Sequence, residues 1–204
     1  MPIPFVPYKK EYAEQMRILA ALLGGKLASR SSRKGGPPPP YPRLTGLYQK
    51  MPVKIEVSQE PTRQGNDPLS TEKYLDITFQ APCSLEVSIQ PRRRIGWLQK
   101  LLWWKKISTG VDDLDREYAV TSSEVRRVRP VLSHKKVKSQ LLHLTPFAGM
   151  WIHPDHILLR YHIASHEIFS ARHLTEVLRR LLRLSRLCQN LSQHPLQAER
   201  SRPA

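Results

Sequence analysis

The chain has 204 residues, with 33 Lys or Arg against 17 Asp or Glu, a formal charge of +16. That length suits one domain with tails, and that charge selects anionic partners: nucleic acid, an acidic lipid surface or an acidic protein patch. The longest apolar run, Ile18 to Leu23, is six residues, whereas a membrane-spanning helix needs about 20. The N-terminus also lacks the charged segment and apolar core of a signal peptide, so the expectation is a soluble, cytoplasmic protein, peripheral to a membrane at most. Cys83 and Cys188 are expected to be reduced, buried thiols.

Residues 1 to 10 hold three prolines and no periodicity. From Glu11 to Leu23, Tyr12, Met16, Leu19, Ala20 and Leu23 fall on one stripe of an amphipathic helix, which Gly24-Gly25 ends. Ser29 to Gly36 and then Pro37 to Pro40 read as a linker, flexible first and polyproline II after. The proline run also has the composition of a proline-rich ligand, although a plain spacer accounts for it. A helix on such a tether either docks on a partner through Tyr12, Met16 and Leu19 or folds back on its own core. Residues 1–43 are therefore read as an arm, 44–191 as an α+β domain and 192–204 as a tail.

In the domain, Leu44 to Tyr48 and Val53 to Val57 are strand candidates around Gln49-Lys50-Met51-Pro52, with Val53, Ile55 and Val57 on one side and Lys54 and Glu56 on the other. A polar loop from Ser58 to Ser70 is expected next. Tyr74 to Phe79 and Leu85 to Ile89 then alternate again, separated by Pro82. Four strands with one apolar face predict an antiparallel sheet covered on one side, and the cover should be helical.

The segment from Arg92 to Lys106 holds six basic residues, no acid and three of the four tryptophans. Arg92, Arg93, Arg94, Lys100, Lys105 and Lys106 with Trp97, Trp103 and Trp104 are the candidate interaction residues. Indole and cation mixtures sit at lipid headgroups, and they also stack nucleobases while tracking phosphates. A third reading packs the tryptophans onto the domain and leaves the cations as its solvated rim. Trp97, Leu98, Leu101, Leu102 and Trp104 can share one helical face, which favours lipid or protein contact over base stacking.

Thr109-Gly110 and Asp112, Asp113 and Asp115 predict a turn, followed by a strand over Glu117 to Thr121 and a helix starting at Glu124 with Ser122 or Ser123 as its cap. Val125, Val128 and Leu132 share a face of that helix, and Pro130 shortens or bends it. Gly110, Asp115 and Tyr118 are the structural residues of this turn. The spacing Thr109-Gly110, Asp115, Tyr118-x-Val120 resembles an uncharacterised prokaryotic α+β domain family whose pattern here is T-G-D-x-x-F-D-x-x-F-x-V, with an upstream G-x-Y-x-G-R turn between strands. Gly46-Leu47-Tyr48-Gln49-Lys50 matches the first half of that upstream turn, with Lys50 where a glycine is expected, and Leu114 stands where the family has an aromatic. The resemblance spans about residues 44 to 190 and implies a fold, with almost no function attached.

Further on, Lys135 to Leu144 reads as a short helix, and Phe147 to Ile152 with His156 to Ile163 as a hairpin turning at Pro154-Asp155. Ile157, Leu159, Tyr161 and Ile163 are expected to face the core. The closing helix, Ser170 to Leu191, carries Leu174, Val177, Leu178, Leu181, Leu184, Cys188 and Leu191 on one stripe, opposite Arg179, Arg180, Arg183 and Arg186.

His153, His156, His162, His166 and Glu167 lie close in sequence without metal-knuckle spacing, and the Asp112 to Asp115 cluster lacks a calcium-loop pattern. No phosphate-cradling glycine loop or nucleophile motif is present. The expectation is therefore no enzyme, no cofactor, no metal and no small-molecule substrate. Between Ser108 and Glu124 five acids face Arg116 alone, so the basic excess lies in the arm, the Trp-rich segment, the Arg126 to Lys138 region and the last helix. This layout predicts a non-catalytic accessory protein docking to an acidic protein complex or anionic membrane surface, with nucleic-acid binding as the alternative.

Overall fold

The computed structural model describes residues 9–28, 41–62, 70–92, 105–163 and 166–193. The architecture is α+β, with an antiparallel sheet, an N-terminal helix and a long C-terminal helix. The chain divides into two compact units, Met1–Phe79 with Arg160–Leu178, and Gln80–Leu159 with Arg179–Ala204.

In the first unit, helix α1 (Lys9–Leu22) ends where Gly24 adopts φ +55°. The Gly25 N–H then reaches back to the Ala20 carbonyl at 2.7 Å, closing the last turn as a left-handed cap does. Strand β1 (Lys26–Ala28), which has no sequence signal, pairs with β2 (Arg43–Tyr48), and β2 pairs with β3 (Met51–Thr62) across Tyr48↔Met51. Gln49 and Lys50 make this tight turn with φ 49° and 69°, the mirror-image geometry that matches strand twist.

Strand β4 (Ser70–Gln80) pairs with β3 all the way to Thr62↔Ser70. The loop expected from Ser58 is thus strand up to Thr62; these polar residues lack an apolar alternation because Gln59, Glu60 and Pro61 are exposed, and backbone pairing holds them instead. Strand β9 (His156–His162) lies beside β4.

The interaction role read for Tyr12, Met16 and Leu19 is corrected here. All three are buried, at 1, 0 and 0 % exposure, within the chain's own first unit. The Tyr12 ring meets Tyr41 and Phe169 edge-on, with centroids 5.3 and 5.0 Å apart, and its hydroxyl donates to the Pro42 carbonyl. The amphipathic stripe was legible, but a stripe does not say whose core it enters.

In the second unit the strands run β8 (Gly149–Ile152), β5 (Val87–Pro91), β7 (Tyr118–Ser122) and β6 (Lys105–Ile107), all antiparallel. Central β5 buries Val87, Ser88 and Ile89 alike, so its alternation hid a strand covered on both faces. Where a turn was expected, Asp112–Glu117 form a short helix, α2, with Leu114 buried. Helix α3 (Val125–Ser133) contains Pro130 and has Glu124, not a serine, at its cap position with no side-chain cap bond. Ser122 contributes differently: its hydroxyl accepts the Glu124 N–H and donates to the Glu86 carbonyl. Helix α4 (Lys135–Leu144) buries Val137, Leu141 and Leu144.

Helix α5 (Ala171–Gln193) follows a 3-10 turn at His166–Phe169. Ser170 caps it, its hydroxyl accepting the His173 N–H at 3.2 Å. All seven residues of its apolar stripe are buried, and burying each leucine contributes about 1.5–3 kcal/mol.

Candidate interaction surface

The motif around Thr109-Gly110 and Asp115 resolves into one carboxylate that gathers a loop. Asp115 accepts the Thr109 N–H and hydroxyl on Oδ1, each at 2.9 Å, and the Ser108 hydroxyl and Gly110 N–H on Oδ2 at 2.6 and 3.1 Å. Burial raises its pKa, and the bonds from Ser108, Thr109 and Gly110 outweigh that and hold it below the usual carboxylate range. Gly110, at φ +68°, turns the loop so that its N–H reaches the acid. The Lys138 ammonium closes on the Gly110 carbonyl at 3.0 Å, and Arg92 Nε on the Asp115 carbonyl at 2.8 Å. Tyr118 lies under the same loop and exchanges hydrogen bonds with Phe147: its hydroxyl donates to the Phe147 carbonyl and accepts the Phe147 N–H. These residues lock a turn, and Asp112 and Asp113 remain exposed beside it.

In the first unit, the polar side of β9 is also internally engaged. Arg160 clasps Asp76 at 2.8 and 3.1 Å, pairs with Glu60, and lies over the Tyr74 ring. Desolvation lowers its pKa, but the two carboxylates outweigh this and raise it. His162 packs edge-on against Tyr74. In the second unit His153 and His156 stack at 4.5 Å, with His156 bonded to exposed Asp155. Among the described residues no three His, Cys, Asp or Glu side chains converge as metal ligands. The side chains of His166 and Glu167 lie outside the described set.

The cationic surface of the second unit is different. Helix α4 places Lys135 and Ser139, and Lys136 and Gln140, at i, i+4 spacing on one side, and the second half of α5 presents Arg183, Arg186 and Leu187. Together these line an open cleft of about 570 Å³. All four cations are exposed, and among the described residues no carboxylate lines the cleft.

Of the candidate interaction residues, Arg92 is exposed and tied to the Asp115 loop. Arg93, Arg94, Trp97, Lys100, Trp103 and Trp104 lie outside the described residues, and Lys105 and Lys106 are placed only by their backbone in β6. The cleft was half legible. The arginines opposite the apolar stripe of α5 and the basic Arg126 to Lys138 region were both read from sequence, but their meeting needed the tertiary fold.

No family model matches the chain, and no curated protein matches it. One solved structure does resemble it. That is the crystal structure of the mycobacterial trehalose monomycolate transport factor A, TtfA, 13% identical, with a TM-score of 0.57 over 87% of this chain and 94% of that one. At that identity the likeness is one of fold. No helix among the described residues is long and apolar enough to cross a membrane.

Proposed function

We propose that this chain is a non-catalytic accessory protein that docks through basic surfaces to an acidic protein complex or an anionic membrane surface. The observation that carries this reading is the cleft in the second unit, whose described lining residues include four cations and no acid. Asp115 and Arg160 are engaged internally; the described lining of the cleft collects charge of one sign on an open surface, which attracts an anionic partner. Support of a second kind comes from the fold shared with TtfA, a mycobacterial transport factor; an accessory role in a transport system is consistent with that likeness. The Trp-rich segment from Arg92 to Lys106 supplies a second docking element, its indoles the apolar contact and its cations the attraction.

The test is affinity isolation of the tagged chain from its native host at low and moderate salt, with and without nuclease and mild detergent. A nuclease-resistant protein or membrane partner that is lost on charge reversal at Arg183 and Arg186 is the expected result. Recovery of nucleic acid that vanishes with a modest salt increase would replace this reading with nucleic-acid binding. Unchanged capture by Trp103→Ala with Trp104→Ala would remove the Trp-rich segment from the docking surface.

A further inference from the structure

We propose that the cleft between α4 and the second half of α5 is a site for the phosphate of an anionic lipid headgroup. The inference rests on reading this cleft as the docking surface and names what it takes. Its volume, about 570 Å³, lies within the roughly 300–1,000 Å³ of sites that enclose a small ligand, a size for one headgroup. Lys135, Lys136 and Arg183 bring three like charges to a cleft with no carboxylate among its described lining residues, and an anion in their midst relieves their repulsion.

The placement of two of them sharpens the point. Lys135 and Lys136 occupy the first turn of α4, which contains no acid, although the helix dipole favours negative charge there. An anion in the cleft would meet that positive end together with both ammonium groups. From α5, Arg183 offers a planar fork suited to paired phosphate oxygens. Gln140 adds a buried side-chain oxygen with no hydrogen-bond partner.

The neighbours of the cations distinguish a lipid from other anions. Leu187 is part of the cleft wall, and Leu142, 38% exposed, continues the line of Lys135 and Ser139 along α4 at i, i+4, i+7. Aliphatic surface therefore flanks the charge, where the glycerol and first methylenes of a lipid would lie.

The experiment uses the full chain and vesicles of phosphatidylcholine with and without phosphatidic acid, with glycerol phosphate as soluble competitor. The expected result is sedimentation with the phosphatidic acid vesicles only, reversed by glycerol phosphate. Replacing Lys135, Lys136, Arg183 and Arg186 by Ala should weaken binding about tenfold or more, given the strength of charge-assisted bonds. Removing the same charge elsewhere, by Ala at Arg126, Arg127, Arg129 and Arg172, should change it by no more than about twofold, because distant exposed charges are screened. Far-UV circular dichroism and melting temperature establish that both variants fold. Arg183→Lys, which keeps the charge and loses the fork, should give an intermediate loss and serves if the quadruple variant does not fold.

Equal losses in the two quadruple variants would overturn the proposal in favour of diffuse charge. So would glycerol phosphate binding without vesicle binding, or single-stranded DNA displacing the vesicles while binding through the same four residues. Capture of a host protein by a chain that ignores these vesicles leaves the docking reading standing and removes the lipid. Vesicle binding through the cleft with nothing recovered from the host does the opposite.

Discussion

Asp115 shows how much one side chain can organise. It satisfies four donors, two of them on Thr109, which is fully buried. Asp115→Ala should cost about 2–3 kcal/mol, since a buried donor left without its charged acceptor loses that much; chemical denaturation measures it. The same contacts make stability pH-dependent with a definite sign. The carboxyl's folded pKa lies below its ordinary value, so its contribution is complete above the unfolded carboxyl pKa of about 3.9 and is lost as pH falls through the folded value. The stability gap between the native chain and Asp115→Asn should accordingly narrow in acid. Lys50 makes the opposite point. Its φ of 69° is where glycine is favoured. Relief of about 1–2 kcal/mol of left-handed strain exceeds the roughly 0.5–1 kcal/mol of chain entropy that glycine costs, so Lys50→Gly should raise the urea midpoint. Cys83, whose burial, helped by Asp155, pushes its thiol up to about 12, and fully buried Cys188 should resist a thiol reagent at mildly alkaline pH until the protein is unfolded, because the thiolate is the reactive form.

At the scale of elements, α1 is positioned by glycine at two places. A Cβ on Gly46 would lie 2.9 Å from the Leu23 side chain and 3.1 Å from the Gly25 backbone, and one on Gly25 would lie 2.5 Å from the Thr45 carbonyl oxygen. The end of α1 thus meets β2 backbone to backbone. Gly46→Ala should destabilise by about 1–3 kcal/mol, the usual cost of overpacking, and a thermal melt would detect it. Helices were the most legible elements: α4 runs from Lys135 to Leu144 as its pattern predicts, and all seven predicted stripe residues of α5 are buried. A period of 3.6 sustained over several turns has few rivals. Short elements were less legible. The three-residue strands β1 and β6 are too short to show a period and exist because a neighbouring strand offers them hydrogen bonds. The acidic run of α2 looked like a turn because aspartates favour caps as well as bends.

For the whole molecule, charge is the dominant property. Docking through the cleft's cations should weaken steadily as salt rises, because screening shortens the reach of exposed charges, a trend that vesicle sedimentation or partner capture would record.

Composition and periodicity alone determined that this chain is basic, that it is α+β, and that its last helix carries a continuous apolar stripe, because those properties depend on residue types and short spacings. Which core the stripe of α1 enters, that both sides of β5 are covered, and that the basic faces of α4 and α5 meet in one cleft were decided only by tertiary structure. Residues such as Lys135 and Arg183 are far apart in sequence, and no local pattern records which distant surfaces the folded backbone brings together.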